Sequence, residues 1–300
     1  MRVAFQGEPG AFSEAAAVQL LGAAITTVPR PTFDSAFRAV GEGQADALLA
    51  PVENSLAGSV VRVYDLLLES DLRIVAETIL PIEHQLIGCP GSSLEMIRSV
   101  ASHPMALAQC ERFFVAHPNL RRVPAEDTAG SVREALAKGD KSGAAIAGRR
   151  AAEKYGGIVL ATDIQDSAEN FTRFVLLVPE GRDGTAQSAG GTDIMVELQV
   201  RKMELQSQPS VLKMCLALRL AHRPGALLAA LEPFSRLGIN LLKIESRPIH
   251  GRPWEYQFFL DVEAEDANRL ETALNEVRVA TSDLRGLGLY AAARSLPGKK

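Results

Sequence analysis

Over residues 1–178, short apolar runs alternate with stretches whose apolar residues recur at helical spacing. Residues 3–5 predict a short strand. Residues 13–21 follow with helical spacing, and Ser13 stands at the N-cap position. Phe33, Phe37 and Val40 fall at i, i+4 and i+7, one face of a second helix. Residues 45–51 read as a buried strand ending at Glu53-Asn54-Ser55, and residues 72–87 as an extended stretch interrupted by Pro81. After a strand at 99–102, residues 104–114 predict one helix with proline in its first turn. A helix at 128–137, a strand at 143–147, a helix at 148–154 and a strand at 174–178 continue the rhythm. The alternation predicts an α/β domain with helices over a mainly parallel sheet.

Residues 179–191, PEGRDGTAQSAGG, are polar, glycine-rich and aperiodic, which predicts a linker over 179–210. Within it, Ile194, Val196, Leu198 and Val200 alternate with polar residues and predict an extra strand at 193–205. A second unit follows at 211–291. A strand at 211–220, a helix at 225–237, strands at 240–249 and 255–262, a helix at 265–277 and a strand at 284–291 give the order βαββαβ, a ferredoxin-like sandwich.

Composition removes several classes. A net charge of -4, with basic residues scattered, offers nothing to nucleic acid or an anionic membrane. The three cysteines, Cys89, Cys110 and Cys215, are widely separated, which argues against a disulfide framework or a zinc cluster and suits a reducing compartment. The first residues pass straight into strand and turn, without the apolar core of a signal peptide. No apolar run approaches the ~20 residues that span a bilayer, so a cytoplasmic protein is expected.

The chain has no Walker loop, no HExxH and no GxSxG. No ligand cluster for a metal is visible, and neither a metal nor a cofactor is expected. The turn from Gly7 to Gly10 could offer backbone N–H groups to an anion. Polar residues also stand where strands run into helices: PVENSLAGS at 51–59, Ser102-His103-Pro104 with Gln109 beyond, AAIAG at 144–148, and NFTRF at 170–174. Strand C-termini line the ligand crevice of open α/β sheets. Each position alone also has a purely structural reading: Asn54 and Ser102 as caps, Gln109 as a solvated helix position, Thr172 as an ordinary β-branched strand residue.

Together these segments resemble the prephenate dehydratase family. The resemblance rests on VAFQGEPGAFSEAAA, ADALLAPVENSLAGSV, SHPMALAQC, AAIAGRRAAEKYG and IQDSAENFTRFVLL, in that order and spacing. It implies a catalytic domain at 1–178 made of two α/β lobes with the site in the cleft, like periplasmic binding proteins. It also implies that Asn54, Ser102, Gln109 and Thr172 are the active-site residues. On this reading Thr172 hydrogen-bonds the departing ring hydroxyl of prephenate, with a relay or bound water supplying the proton. Asn54, Ser102 and Gln109 orient the two carboxylates. Arg173, Gly10, Ser13 and Ser55 are expected to bind substrate, Arg173 having a structural salt bridge as its alternative. The chain departs from the family at Met105, where glutamine is frequent, and in its long connection over 180–210.

HRPGALLAALEPFSRLGINLLKIESRP, at 222–248, resembles the phenylalanine-binding ACT domain of these enzymes. The resemblance implies an effector site at Pro224, Gly225, Ala226 and Leu227, where a helix N-terminus can meet a carboxylate, and at Glu245, Ser246, Arg247 and Pro248. It further implies allosteric regulation by phenylalanine and a homodimer or homotetramer with paired ACT domains. Arogenate dehydratase, or a non-catalytic amino-acid sensor built on the same cleft, are the alternative readings.

Overall fold

The fold is described from a computed structural model, which covers residues 1–180, 211–249, 251–252 and 254–293. The strand expected at 193–205 lies outside the described residues. The chain divides into two units, Met1–Leu66 with Thr78–Val175, and Leu67–Glu77 with Leu176–Lys300.

The chain up to Pro179 forms two sheets. Strands β1 (Arg2–Gln6), β2 (Thr26–Arg30), β3 (Ala47–Asn54), β5 (Leu72–Pro81) and β11 (Phe171–Pro179) form the first in the order β2-β1-β3-β11-β5, with the short β4 (Gly58–Ser59) paired to β3. β1 runs parallel to both of its neighbours. Helices α1 (Phe12–Leu21), α2 (Phe33–Gly41) and α3 (Val61–Glu69) belong to this part of the chain. α1 begins one residue before Ser13, with Ala11 at its N-cap and no side-chain cap, so the expected capping role of Ser13 does not hold. α2 starts at a reciprocal capping box between Thr32 and Ser35.

The second sheet has the order β10-β6-β9-β7-β8, from β6 (Gln85–Gly88), β7 (Ser99–Ser102), β8 (Arg121–Pro124), β9 (Gly143–Ala147) and β10 (Ile158–Ala161). It is mixed, not mainly parallel: β7 is parallel to β8 and β9, whereas β6 is antiparallel to β9 and β10. Strand alternation buries both of its faces. Ala144 and Ile146 pack with Leu107 and Phe114 on one side, and Ala145 and Ala147 pack with Val132 and Ala151 on the other.

The helix expected over 104–114 is two helices, α4 (Pro104–Ala108) and α5 (Glu111–Ala116). Asp166 explains the break. Its carboxylate accepts the N–H groups of Glu111 and Arg112 at the start of α5, and its own N–H donates to the carbonyl of Gln109 at 2.7 Å. Helices α6 (Thr128–Lys138) and α7 (Arg149–Tyr155) complete this lobe.

The lobes meet where α1 begins. A Cβ added to Gly10, whose φ is +91°, would lie 2.8 Å from Ala151 Cα, and one on Gly148 would lie 2.9 Å from the Phe12 ring. Beside them the buried Glu14 carboxylate accepts from Gly10 N, Thr27 Oγ1 and Arg150 Nε. Burial alone would raise its pKa; these donors outweigh burial and hold it below the ordinary carboxylate value.

In the second unit, β12 (Leu212–Arg219), β13 (Asn240–Pro248), β14 (Tyr256–Ala264) and β15 (Asp283–Ala291) form an antiparallel sheet in the order β13-β14-β12-β15. Helices α8 (Ala226–Arg236) and α9 (Ala267–Ala280) cover one face through Phe234, Leu270, Leu274 and Val277 against Met214, Leu216, Leu260 and Val262. On the opposite face lies the Leu67–Glu77 segment. Lys213 Nζ pairs with Glu77 at 3.0 Å, both side chains almost wholly buried, and Ala293 N donates to the same carboxylate. Among the described residues no helix is long and apolar enough to cross a membrane.

Candidate active site

A cavity of about 600 Å³ opens in the first unit, lined among others by Ser13, Asn54, His84, Gln109, Thr172 and Phe174. The first turns of α1, α2, α4 and α6 reach its wall through Phe12, Phe33, Met105 and Thr128. Helix N-termini present unpaired backbone N–H groups and the positive end of the macrodipole. Among the described lining residues none is lysine or arginine. An anion in this cavity would therefore be held by N–H and O–H donors.

The polar centre follows from three backbone features. β3 ends at Asn54, so its side chain stands at a strand C-terminus. Asn54 Oδ1 accepts the N–H groups of Leu56 and Ala57 at 3.0 and 2.8 Å, which turns the Nδ2 amide toward β11. There Nδ2 donates to Asn170 Oδ1 (2.8 Å), to Thr172 Oγ1 (2.9 Å) and to the Phe171 carbonyl (3.1 Å). In β11, alternation sends Thr172 and Phe174 to the same side, and both line the cavity. Because Thr172 Oγ1 accepts from Asn54, its hydroxyl hydrogen is left to donate, and it has no acceptor among the described residues.

Gln109 enters through the break between α4 and α5. Its Oε1 accepts from Asn170 Nδ2 at 3.0 Å and lies 2.9 Å from His84 Nε2. Its Nε2 amide has no partner among the described residues, on a side chain that lines the cavity.

Of the residues expected from the sequence, Asn54, Gln109 and Thr172 come together here, and Ser13 lines the same cavity. Ser102 does not join them. It is fully buried and donates to the Ile146 carbonyl at 2.7 Å, tying β7 to β9. Ser55 is tied to β11, donating to the Glu169 carbonyl and accepting from Phe171 N. Arg173 is mostly buried and lies 3.8 Å from Glu53, the structural salt bridge that was its alternative. The Gly10 N–H, expected to meet an anion, is already donated to Glu14 at 2.7 Å. None of Ser55, Ser102, Arg173 and Gly10 is on the cavity wall. His103 caps α4 through Nδ1.

Sequence reasoning passed over His84 and the linking role of Asn170. His84 is 2% exposed and stacks edge-on against Phe12. The only signal was a polar residue inside the extended run around Pro81.

The effector candidates divide between two faces. Gly225, with φ +78°, is the N-cap of α8, and Ala226 and Leu227 open that helix. Cross-strand partners share a face. Ser246 pairs with Phe258, which packs into the helix-covered core, whereas Glu245 and Arg247 pair with Phe259 and Gln257 on the other face.

A two-lobed α/β unit with a polar cleft, followed by a ferredoxin-like unit, defines the class: an open α/β fold with a cavity of small-molecule size, joined to a second small domain. Comparison with known proteins makes it specific. The prephenate dehydratase family model matches residues 3–182, and the ACT domain model matches residues 216–279. The chain belongs to the prephenate dehydratase family. It is 40% identical to arogenate dehydratase 3 of Arabidopsis thaliana, a chloroplastic protein, over 97% of this chain and 67% of that one. A solved prephenate dehydratase of Arthrobacter aurescens in complex with L-Phe is 32% identical with a TM-score of 0.80, covering 97% of this chain and 90% of the other. The structure of GqqA, described as a quorum quenching acylase, is 33% identical with a TM-score of 0.82, covering 97% and 98%.

Proposed function

We propose that the chain is a prephenate dehydratase, a carbon–oxygen lyase of phenylalanine biosynthesis, in which residues 1–178 carry the chemistry and residues 211–291 bind phenylalanine. The observation that carries the reading is the bond from Asn54 Nδ2 to Thr172 Oγ1, which leaves the threonine proton to be donated into a cavity with no lysine or arginine among its described lining residues. Prephenate is a dianion that already holds the driving force of aromatisation. As the ring carboxylate leaves as carbon dioxide, its bonding electrons enter the ring and the C–O bond to the hydroxyl breaks. The departing hydroxide takes a proton and leaves as water, and phenylpyruvate remains. The protein holds the dianion in one conformation and helps the hydroxyl leave. Thr172 Oγ–H donates to that hydroxyl, its proton replenished through bound water, and Gln109 Nε2 with the helix N-termini receives the carboxylates.

The likeness to an arogenate dehydratase supports a second reading, in which the substrate carries an ammonium in place of the keto group. Asp34, Glu126 and Asp127 on the cavity wall are its candidate partners. Parallel incubations with prephenate and arogenate, followed for phenylpyruvate and phenylalanine, discriminate the two. Absence of turnover with both leaves the amino-acid sensor.

Phenylalanine is expected to inhibit by binding at the start of α8. The residue most sensitive there is Gly225, for a reason other than crowding. A Cβ at this position meets nothing within 4 Å, but its left-handed backbone is strained for any β-branched residue. Gly225→Val should therefore distort the N–H groups of the effector site and raise the phenylalanine concentration for half-inhibition about tenfold, relative to the variant's own uninhibited rate. An unchanged inhibition curve would remove this turn from the effector site.

β13 is an edge strand with Leu242 and Ile244 exposed, a surface suited to pairing with a second copy. Light scattering should show a dimer or tetramer, with and without phenylalanine. A monomer at micromolar concentration in both conditions would exclude an effector site shared between chains.

A further inference from the structure

We propose that His84 is a positioning residue of the active site: its imidazole, carrying its proton on Nε2, locks the Gln109 carboxamide with the NH2 group facing the cavity. The inference deepens the dehydratase reading and rests on it for its kinetic consequence.

The geometry forces the direction of every bond in the row. Backbone N–H groups of Leu56 and Ala57 can only donate, so the atom of Asn54 that faces them is Oδ1. Nδ2 of Asn54 must then face Asn170, which receives it on Oδ1. That leaves Asn170 Nδ2 to donate to Gln109, whose receiving atom is Oε1. A carboxamide oxygen can only accept, and it stands 2.9 Å from His84 Nε2, so the imidazole must bring the proton. Polarity thus runs from two peptide groups, through three side-chain amides, to one tautomer of one histidine.

The other ring nitrogen completes the case. Nδ1 of His84 is buried and has no hydrogen-bond partner among the described residues. A bare lone pair is tolerable there, whereas an N–H would be an unsatisfied buried donor. Burial, against the smaller opposing effect of Gln109, also holds the imidazole pKa below its ordinary value and keeps the ring neutral. Without His84, Gln109 Oε1 keeps one donor, Asn170, and the carboxamide can turn about that bond. Its NH2 group then no longer points at one place in the cavity.

The test uses the full-length protein. In 15N spectra of protein labelled on histidine, His84 should show the widely separated nitrogen pair of a neutral Nε2–H imidazole at neutral pH, a readout that needs no substrate. A cationic ring or the Nδ1–H tautomer overturns the proposal. In steady-state kinetics with whichever substrate the wild type turns over, His84→Leu should lower kcat about 10- to 100-fold with KM changed less, as for a misplaced orienting group. His84→Gln, which can return an N–H to Gln109 Oε1, should recover most of the loss. A folded His84→Leu protein with wild-type kcat, or a glutamine variant no better than leucine, overturns the proposal. If the wild type turns over neither substrate, the dehydratase reading fails, and the spectra still decide the tautomer.

Discussion

Thr172→Ala should lower kcat by about 10²-fold or more while substrate still binds, because on the proposed mechanism the lost donor acts mainly on the leaving hydroxyl in the transition state. The structure makes this substitution a clean probe. Asn54 Nδ2 keeps Asn170 Oδ1 and the Phe171 carbonyl as acceptors when Thr172 Oγ1 is removed, so no buried amide is stranded. The thermal transition should therefore move little while turnover collapses. Thr172→Ser keeps the hydroxyl and should retain more activity than alanine, although the missing methyl frees its rotamer. Steady-state kinetics on the two variants decide the matter. An alanine variant turning over near the wild-type rate would take the hydroxyl out of the mechanism.

The largest expected effect on stability lies in the second unit, at Gly288. A Cβ there would sit 2.1 Å from the Ile74 carbonyl oxygen and 2.7 Å from Ile74 Cβ. The obstacle is a neighbouring main chain, which cannot turn aside as the end of a side chain can. Gly288→Ala should therefore cost more than about 3 kcal/mol, in the range of severe overpacking. The Lys213–Glu77 pair lies in the same unit and is held by the same approach of Leu67–Glu77 to the sheet. Separation of that segment would expose two charges that depend on each other. Thermal denaturation with limited proteolysis measures the outcome. A melting curve that superimposes on the wild type would mean that β15 can move away from Ile74 at little cost.

Much of the element order was legible from period and punctuation. The helix over 128–137 appears as Thr128–Lys138 and the strand over 143–147 as Gly143–Ala147, since each has both its pattern and its turn residues nearby. The short strands β2, β8 and β10 were not legible, being four or five residues long with mostly half-buried or exposed positions that leave little alternation to read. The break in the helix after Ala108 could not be seen locally, because Asp166 supplies it from more than fifty residues away. Gln109 consequently owes its place at the cavity to a residue that no window around it contains.

The candidate site divides in the same manner. Asn54 and Thr172 stand at strand positions that the local pattern marks out, and resemblance named them with Gln109. Ser102 shows the limit of such transfer: a serine at a strand end is equally suited to close a neighbouring carbonyl, and here it does so. His84 was missed because burial and tautomer are properties of surroundings, and its partner Gln109 follows it by twenty-five residues.

The contacts where the lobes meet also govern how this sequence can change over generations. Gly10 is confined by the main chain at Ala151, so no replacement at position 151 makes room for a larger residue at position 10. Gly148 is confined by the end of the Phe12 ring, and a smaller residue at position 12 would free it. The first position is therefore frozen whatever its neighbour becomes. The second can drift, but only in step with a residue far away in the chain, so among descendants of this sequence the two should vary as a pair.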